Sequence, residues 1–348
     1  MATVMFVAHL LFSDRLGATS PAPSAPRSVA TYPASYFTGP LGRRNPVPAK
    51  HGAFLILQPM TYGCSWKCVK ARVAERERAT GRKFDGIANA WRPNDPSYER
   101  VERWVHKRGS IPIIAGYSPG GSPAEIGSGA RDARIVRFAR YIKQFNFVVM
   151  IRMFHEFDLA GWAHHACGAT FIDMWRRVVN VFKQEGVSNA GFWWSPTEGA
   201  NRSCIASSYP GDEYVDWGGS GWYNWCHVNN SNCWSTPLHS GWAEFNELFN
   251  YPPGPGYQNQ HDVWGPRKPF IVGETNTVHD GNYPSKKGDW YRNVPRAARE
   301  MEYLRGVMVY DSDVSAVEGP NANFEVDSSS SAYQGFIELA RDPFFNTR

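Results

Sequence analysis

The chain has 348 residues, 42% hydrophobic and 20% charged, a composition that excludes a wholly disordered protein and allows one large domain or two ordinary ones. Its 37 Lys and Arg only slightly outnumber 32 Asp and Glu, and the cations are scattered over helix-like stretches such as 72–82 and 131–140, so no nucleic-acid partner is expected. Fourteen Trp, 16 Tyr and 20 Phe are the unusual counts, and flat rings with polar edges serve sugar stacking as readily as core packing.

Residues 4–12 form an apolar run of signal-peptide length, followed by small residues over 17–25 that suit cleavage, although no Lys or Arg precedes them. Residues up to 35, rich in Ala, Pro and Ser, read as a linker. The expected organisation is therefore a signal peptide and linker over 1–35 and one domain over 36–348. No other stretch is long and apolar enough to span a bilayer, so a secreted protein without a membrane partner is expected.

From residue 50 onward short apolar runs alternate with amphipathic segments, the pattern of parallel strands covered by helices. Strands are predicted over 53–58, 84–89, 111–117, 147–154, 190–195, 215–222, 270–273 and 306–310. Helices are predicted between them over 67–80, 97–108, 130–145, 170–184, 242–248 and 290–304. In the fourth of these, Phe171, Met174, Trp175, Val178, Val179 and Phe182 recur at three- and four-residue steps and make one apolar face. An open doubly wound sheet would carry a glycine-rich nucleotide loop, and none is present. Eight strand-helix units instead favour an α/β fold of the closed (β/α)8 TIM-barrel type, in one domain.

On that barrel two motifs stand out. Phe154-His155-Glu156-Phe157-Asp158 follows the fourth strand and Phe270-Ile271-Val272-Gly273-Glu274-Thr275 ends the seventh, so both glutamates reach the C-terminal mouth, where barrel active sites are built. One apolar run ending in Glu is most often a rim salt bridge; an ordered pair is a stronger signal. Retaining glycoside hydrolysis needs such a pair about 5–5.5 Å apart, one holding a proton for the leaving oxygen and the other ionised to attack the anomeric carbon. Glu156 is read as acid/base and Glu274 as nucleophile. His155 is read as a sugar-binding or ionisation-tuning neighbour, with a hydrogen-bonded rim histidine as the alternative. Glu198, in Trp194-Ser195-Pro196-Thr197-Glu198, is the reserve candidate.

Six cysteines, at 64, 68, 167, 204, 226 and 233, suit an oxidising compartment, and spacing alone leaves fifteen pairings open. Their positions on the barrel favour Cys226–Cys233 within one loop and Cys167–Cys204 between adjacent loops, then Cys64–Cys68. Cys64 and Cys68 have no second metal-type pair nearby, and the residue four after His155 is Leu159 rather than histidine. No metal or organic cofactor is expected.

The order of His155-Glu156, Trp193-Trp194-Ser195-Pro196, the run 209–216 leading into Trp222-Tyr223, and Glu274 resembles glycoside hydrolase family 26 over about residues 50–315. The resemblance implies a retaining β-glycanase barrel. It assigns Glu156 as acid/base, His155 as substrate-binding, Glu274 as nucleophile and Tyr223 as the phenol that hydrogen-bonds the nucleophile. It makes Trp162 a sugar-stacking loop aromatic and places Trp194 and Trp222 as walls of the central subsites, against the alternative of ordinary packing for each. Mannanases of the family commonly follow the acid with Met-Asn and several tryptophans, whereas Phe157-Asp158-Leu159-Ala160-Gly161-Trp162 has one. The expected activity is a secreted, monomeric endo-β-glycanase acting on a β-linked polysaccharide or oligosaccharide, β-1,4-mannan first, then β-1,3-1,4-glucan or β-1,3-xylan. A non-catalytic carbohydrate-binding barrel is the reading from another class.

Overall fold

The computed structural model describes residues 36, 38–43, 45–48, 52–59, 66–90, 99–230, 233–236, 239–250, 258–319 and 322–346. The proposed leader and linker over 1–35, and Cys64, lie outside the described residues. Eight strands close a parallel barrel: β1 (Phe54–Gln58), β2 (Gly86–Ala90), β3 (Ile111–Tyr117), β4 (Val149–Met153), β5 (Ala190–Trp194), β6 (Trp217–Ser220), β9 (Phe270–Thr275) and β10 (Leu304–Tyr310). Between β6 and β9 the chain adds a small antiparallel ribbon, β7 (Trp234–Thr236) and β8 (His239–Ser240). Every barrel neighbour pairs in parallel, from β1 with β2 round to β10 with β1. All eight strands coincide with the apolar runs read from the sequence.

Strand side chains alternate between two packed layers, which is why these strands read as continuous apolar runs. Phe54, Ile56, Ala88, Ile113, Ala115, Met150, Trp193, Trp217, Ile271 and Met308 fill the barrel. The intervening residues, among them Leu55, Ile114, Ile151, Phe192, Trp194 and Val272, pack outward against helices. Helix Ala169–Gln184 buries all six residues of its predicted apolar face.

Besides short helices in the loops, such as Pro123–Gly127 and Arg202–Ser207, two differences bear on the packing around β10. The segment expected as a helix over 290–304 is helical over Lys286–Glu300, and Leu304 opens β10 instead. A further helix, Ser330–Arg341, completes the ring after β10, its start capped by the Ser329 side chain accepting from Ala332 N. It lies so close to helix Lys286–Glu300 that a Cβ on Gly335 would stand 2.3 Å from Gly288 O.

The end opposite the mouth is closed by the segment before β1. Asn45 Nδ2 donates to Asp216 O at 2.9 Å, Lys268 Nζ donates to Thr38 O at 3.3 Å, and Val47 packs under the barrel core. Cys167–Cys204 and Cys226–Cys233 are both bridged, as their loop positions suggest. Cys68 is also disulfide-bonded. No described helix is long and apolar enough to cross a membrane.

Candidate active site

The mouth is organised by Arg152, an inward-facing residue near the end of β4 with no exposed surface. Its Nη1 donates to Glu274 Oε1 at 3.0 Å, so the guanidinium spans from the fourth strand of the barrel to the seventh. The space it occupies exists because residue 221 is glycine: a Cβ there would approach Arg152 Nη2 to 3.2 Å and Glu274 N to 2.9 Å. A buried charge must be paired, and Arg152 does this by holding one oxygen of Glu274. The other, Oε2, is buried and accepts no hydrogen bond.

After β4 the chain turns sharply. Phe154 and Glu156 have φ of 47° and 54°, left-handed backbone that costs a non-glycine residue about 1 kcal/mol or more and must be held by its surroundings. Phe154 N donates to Tyr117 O at 3.0 Å, Glu156 N donates to Ser195 O at 3.1 Å, and Phe154 is fully buried beside Phe171 and Trp175. Asp158 then ties this loop to the one after β5, accepting from Thr197 N at 2.9 Å. The Cys167–Cys204 bridge joins the same two regions further along. His155 fits against β3 because Gly116, at φ +83°, has no side chain; a Cβ there would meet His155 Nδ1 at 2.9 Å. His164 Nε2 shares a hydrogen bond with His155 O at 3.0 Å.

The two carboxylates stand in contrasting surroundings. Glu156 is pushed up to about 7 by burial; Arg152 opposes this, the charges of Glu274 and Asp158 add to it, and a hydrogen bond with Trp162 works against it. It can therefore hold a proton near neutral pH. Glu274 has a cation bonded to one oxygen and a lone pair left uncommitted on the other. His155 is held well below its ordinary value by burial, then by Arg152 and His164, so it enters the site as a neutral imidazole. Tyr223 is held well above its ordinary value by burial and by Glu274, Tyr310 and Glu156, and keeps its proton. Its phenol lies within electrostatic range of both carboxylates. The hydrogen bond to the nucleophile that the family resemblance assigns to Tyr223 is made here by Arg152.

Trp162 lies in the loop as expected, 41% exposed, with its ring 4.8 Å from that of His155. Trp194 does not line the mouth. It is fully buried in the outer layer, edge-on to Tyr209 at 5.3 Å and Trp264 at 5.0 Å, so ordinary packing accounts for it. Adjacent strand residues face opposite ways, and its neighbour Trp193 is the one inside, with Arg152 over its ring at 5.4 Å. Trp222 also leans on the outer layer and is half-buried, while its backbone N–H donates to Glu274 O at 3.1 Å. The reserve candidate Glu198 is spent on structure: it accepts from Gln260 N at 3.1 Å and from Ser220 Oγ. Arg152 was missed by the sequence reading. A lone charge in the run Val148–Phe154, on the same strand parity as buried Met150, was the available signal. Among the described residues no group of three or more His, Cys, Asp or Glu could hold a metal ion.

No family model matches the chain. Endoglucanase H of Acetivibrio thermocellus is 24% identical over 247 residues, covering 67% of this chain but 25% of that protein, so the chain spans a quarter of this relative's length. Among solved structures, a family 26 β-mannanase from Bacteroides ovatus superposes with a TM-score of 0.60 at 15% identity, over 84% of this chain and 90% of that one. The catalytic domain of a Bacillus family 26 endo-β-1,4-mannanase gives 0.59 at 17% identity, over 84% and 86%. A modular endo-β-1,4-mannanase from Cellulomonas fimi gives 0.58 at 14%, over 84% and 71%. At such identities the likeness is one of fold: the chain has a (β/α)8 barrel similar to those of these β-mannanases.

Proposed function

We propose that this chain is a retaining endo-β-glycanase that cleaves a β-linked polysaccharide by double displacement. The observation that carries the reading is the split between two carboxylates at one mouth: Glu156 is protonated up to about pH 7, and Glu274 is fixed by Arg152 with Oε2 uncommitted. In the first step Glu274 Oε2 attacks the anomeric carbon as its bond to the leaving oxygen breaks. That oxygen takes the proton of Glu156, and a glycosyl ester forms on Glu274. In the second, Glu156, now ionised, removes a proton from water as the water attacks the same carbon and frees Glu274. Neutral His155 offers hydrogen bonds to a sugar hydroxyl without adding a cation that would favour ionisation of Glu156.

The solved neighbours are β-mannanases, which puts β-1,4-mannan first, and the endoglucanase relative supports a β-glucan as the alternative. Bridged cysteines accord with export, and the proposed state is a secreted monomer. The test is incubation with soluble mannan, lichenan and β-1,3-xylan, following reducing ends and the anomer released first. Retained β configuration is expected, together with loss of turnover in Glu274→Ala and azide rescue giving a β-glycosyl azide from Glu156→Ala but an α-glycosyl azide from Glu274→Ala. An inverted first product, or near-normal cleavage by either variant, would refute the assignment.

A further inference from the structure

Trp162 and Trp225 are the two exposed tryptophans among residues whose side chains are described, at 41% and 39%. Trp162 belongs to the β4 side of the mouth, its ring against His155 in the loop that carries Glu156. Trp225 belongs to the opposite side. Its ring is 5.6 Å from Tyr223 and 4.8 Å, edge to face, from Phe324, and Tyr223 in turn sits 5.8 Å from Tyr310 at the end of β10.

The backbone explains how it gets there. Parallel pairing continues past β6, with Asn224 bridged to Thr277, Asn224 N donating to Asn276 O at 3.0 Å and Val278 N donating to Asn224 O at 3.0 Å. Strand alternation therefore persists, and Gly221, Tyr223 and Trp225 share the parity that faces the barrel axis. Trp225 is also fixed at both sides. Asn224 is fully buried, its amide bonded to Thr277 Oγ1 at 2.8 Å, and Cys226 is fully buried in its bridge to Cys233. Beyond them Val228 N donates to Asp280 Oδ2 at 2.9 Å and pins the loop to the one after β9. An exposed indole costs solvation, and one held rigidly from both neighbours is pre-organised for a ligand.

Resting on the glycanase reading, the side of the cleft follows from the chemistry. The acid/base protonates the leaving oxygen, so Glu156 and Trp162 mark the leaving-group side, and the sugar attacked by Glu274 extends the other way. We propose that Trp225 is the stacking platform of a glycone-side subsite beyond the sugar held at Glu274, taking the C–H face of an equatorially linked β-pyranosyl unit.

The test compares Trp225→Ala and Trp225→Phe with the unmodified protein on β-mannan and β-glucan oligosaccharides of two to six units and on an aryl β-monoglycoside. The same substitutions are placed in a Glu274→Ala background, where binding of mannohexaose and cellohexaose is measured calorimetrically. Trp225→Ala is expected to lower kcat/KM about tenfold on the longest chains, chiefly through KM, with a loss that shrinks as the substrate shortens; Trp225→Phe recovers most of it. Equal losses on the monoglycoside and the hexasaccharides, or no loss on either, would overturn the platform. If the unmodified protein cleaves no β-glycan, the glycanase reading fails while the binding arm still decides. A weaker hexasaccharide affinity with Trp225→Ala supports the platform, and unchanged affinity, or none with or without Trp225, overturns it.

Discussion

Replacing Glu156 with Gln should make the protein more stable at neutral pH while removing its activity on polysaccharide. The Glu156 carboxyl is raised from 4.5 to about 7 in the folded protein, so the fold binds its proton more tightly than the unfolded chain does. Between these values the folded state carries more protons, and stability falls as pH rises through the interval, levelling off above about 7. A rise of that size corresponds to about 3 kcal/mol. For a chain of 348 residues this is a melting shift of about 4 °C. Glutamine has the same shape and no charge to desolvate, so the variant lacks this loss. Asp216, also pushed up to about 7 by burial, contributes the same slope to both proteins and cancels in the difference. The assay is calorimetric melting of both proteins at half-unit steps from pH 4 to 8.5. The variant's advantage should grow from pH 4.5 and plateau near 7.5. A difference that stays flat, or that grows toward acid, would show that Glu156 does not hold its proton in the folded protein and would remove the basis for its role as acid.

The alkaline limb of kcat/KM should fall near pH 7, because Glu156 must enter the reaction protonated. Arg152→Met should lower kcat and move that limb upward by about one unit or more, since Arg152 is the largest influence holding Glu156 down; a downward move would contradict the geometry. Gly116→Ala should displace His155, costing activity on every substrate and about 1–3 kcal/mol of stability measured by denaturant melting, because both the positive φ and the 2.9 Å approach oppose a Cβ. Opening the 37-residue loop with Cys167→Ser and Cys204→Ser should cost about 2–4 kcal/mol, read as a lower melting temperature than that of the oxidised parent.

The barrel was legible because its strands are buried on both faces, so each appears as an apolar run regardless of side-chain direction. The same property hid the site's finer structure. In Phe192-Trp193-Trp194 every residue is apolar, and only strand parity tells that Trp193 lies under Arg152 while Trp194 packs with Tyr209 and Trp264. Parity anchored on Met150 would have put Arg152 inside the barrel, and an inward charge demands an opposite one, which Glu274 supplies across three strand positions. Helix Ser330–Arg341 is hidden for a different reason: it follows the last strand, with no further strand after it to mark a strand-helix unit, although the last strand of a closed barrel needs covering like the others. Glycines were the least readable, because their function is the room they leave. Gly116 and Gly221 look like ordinary breaks in apolar sequence, yet one makes space for His155 and the other for Arg152. The two glutamates are visible in the sequence, but their contrast is not: burial raises one, a cation two residues before its motif pairs with the other, and two glycines elsewhere on the barrel leave the room for both arrangements.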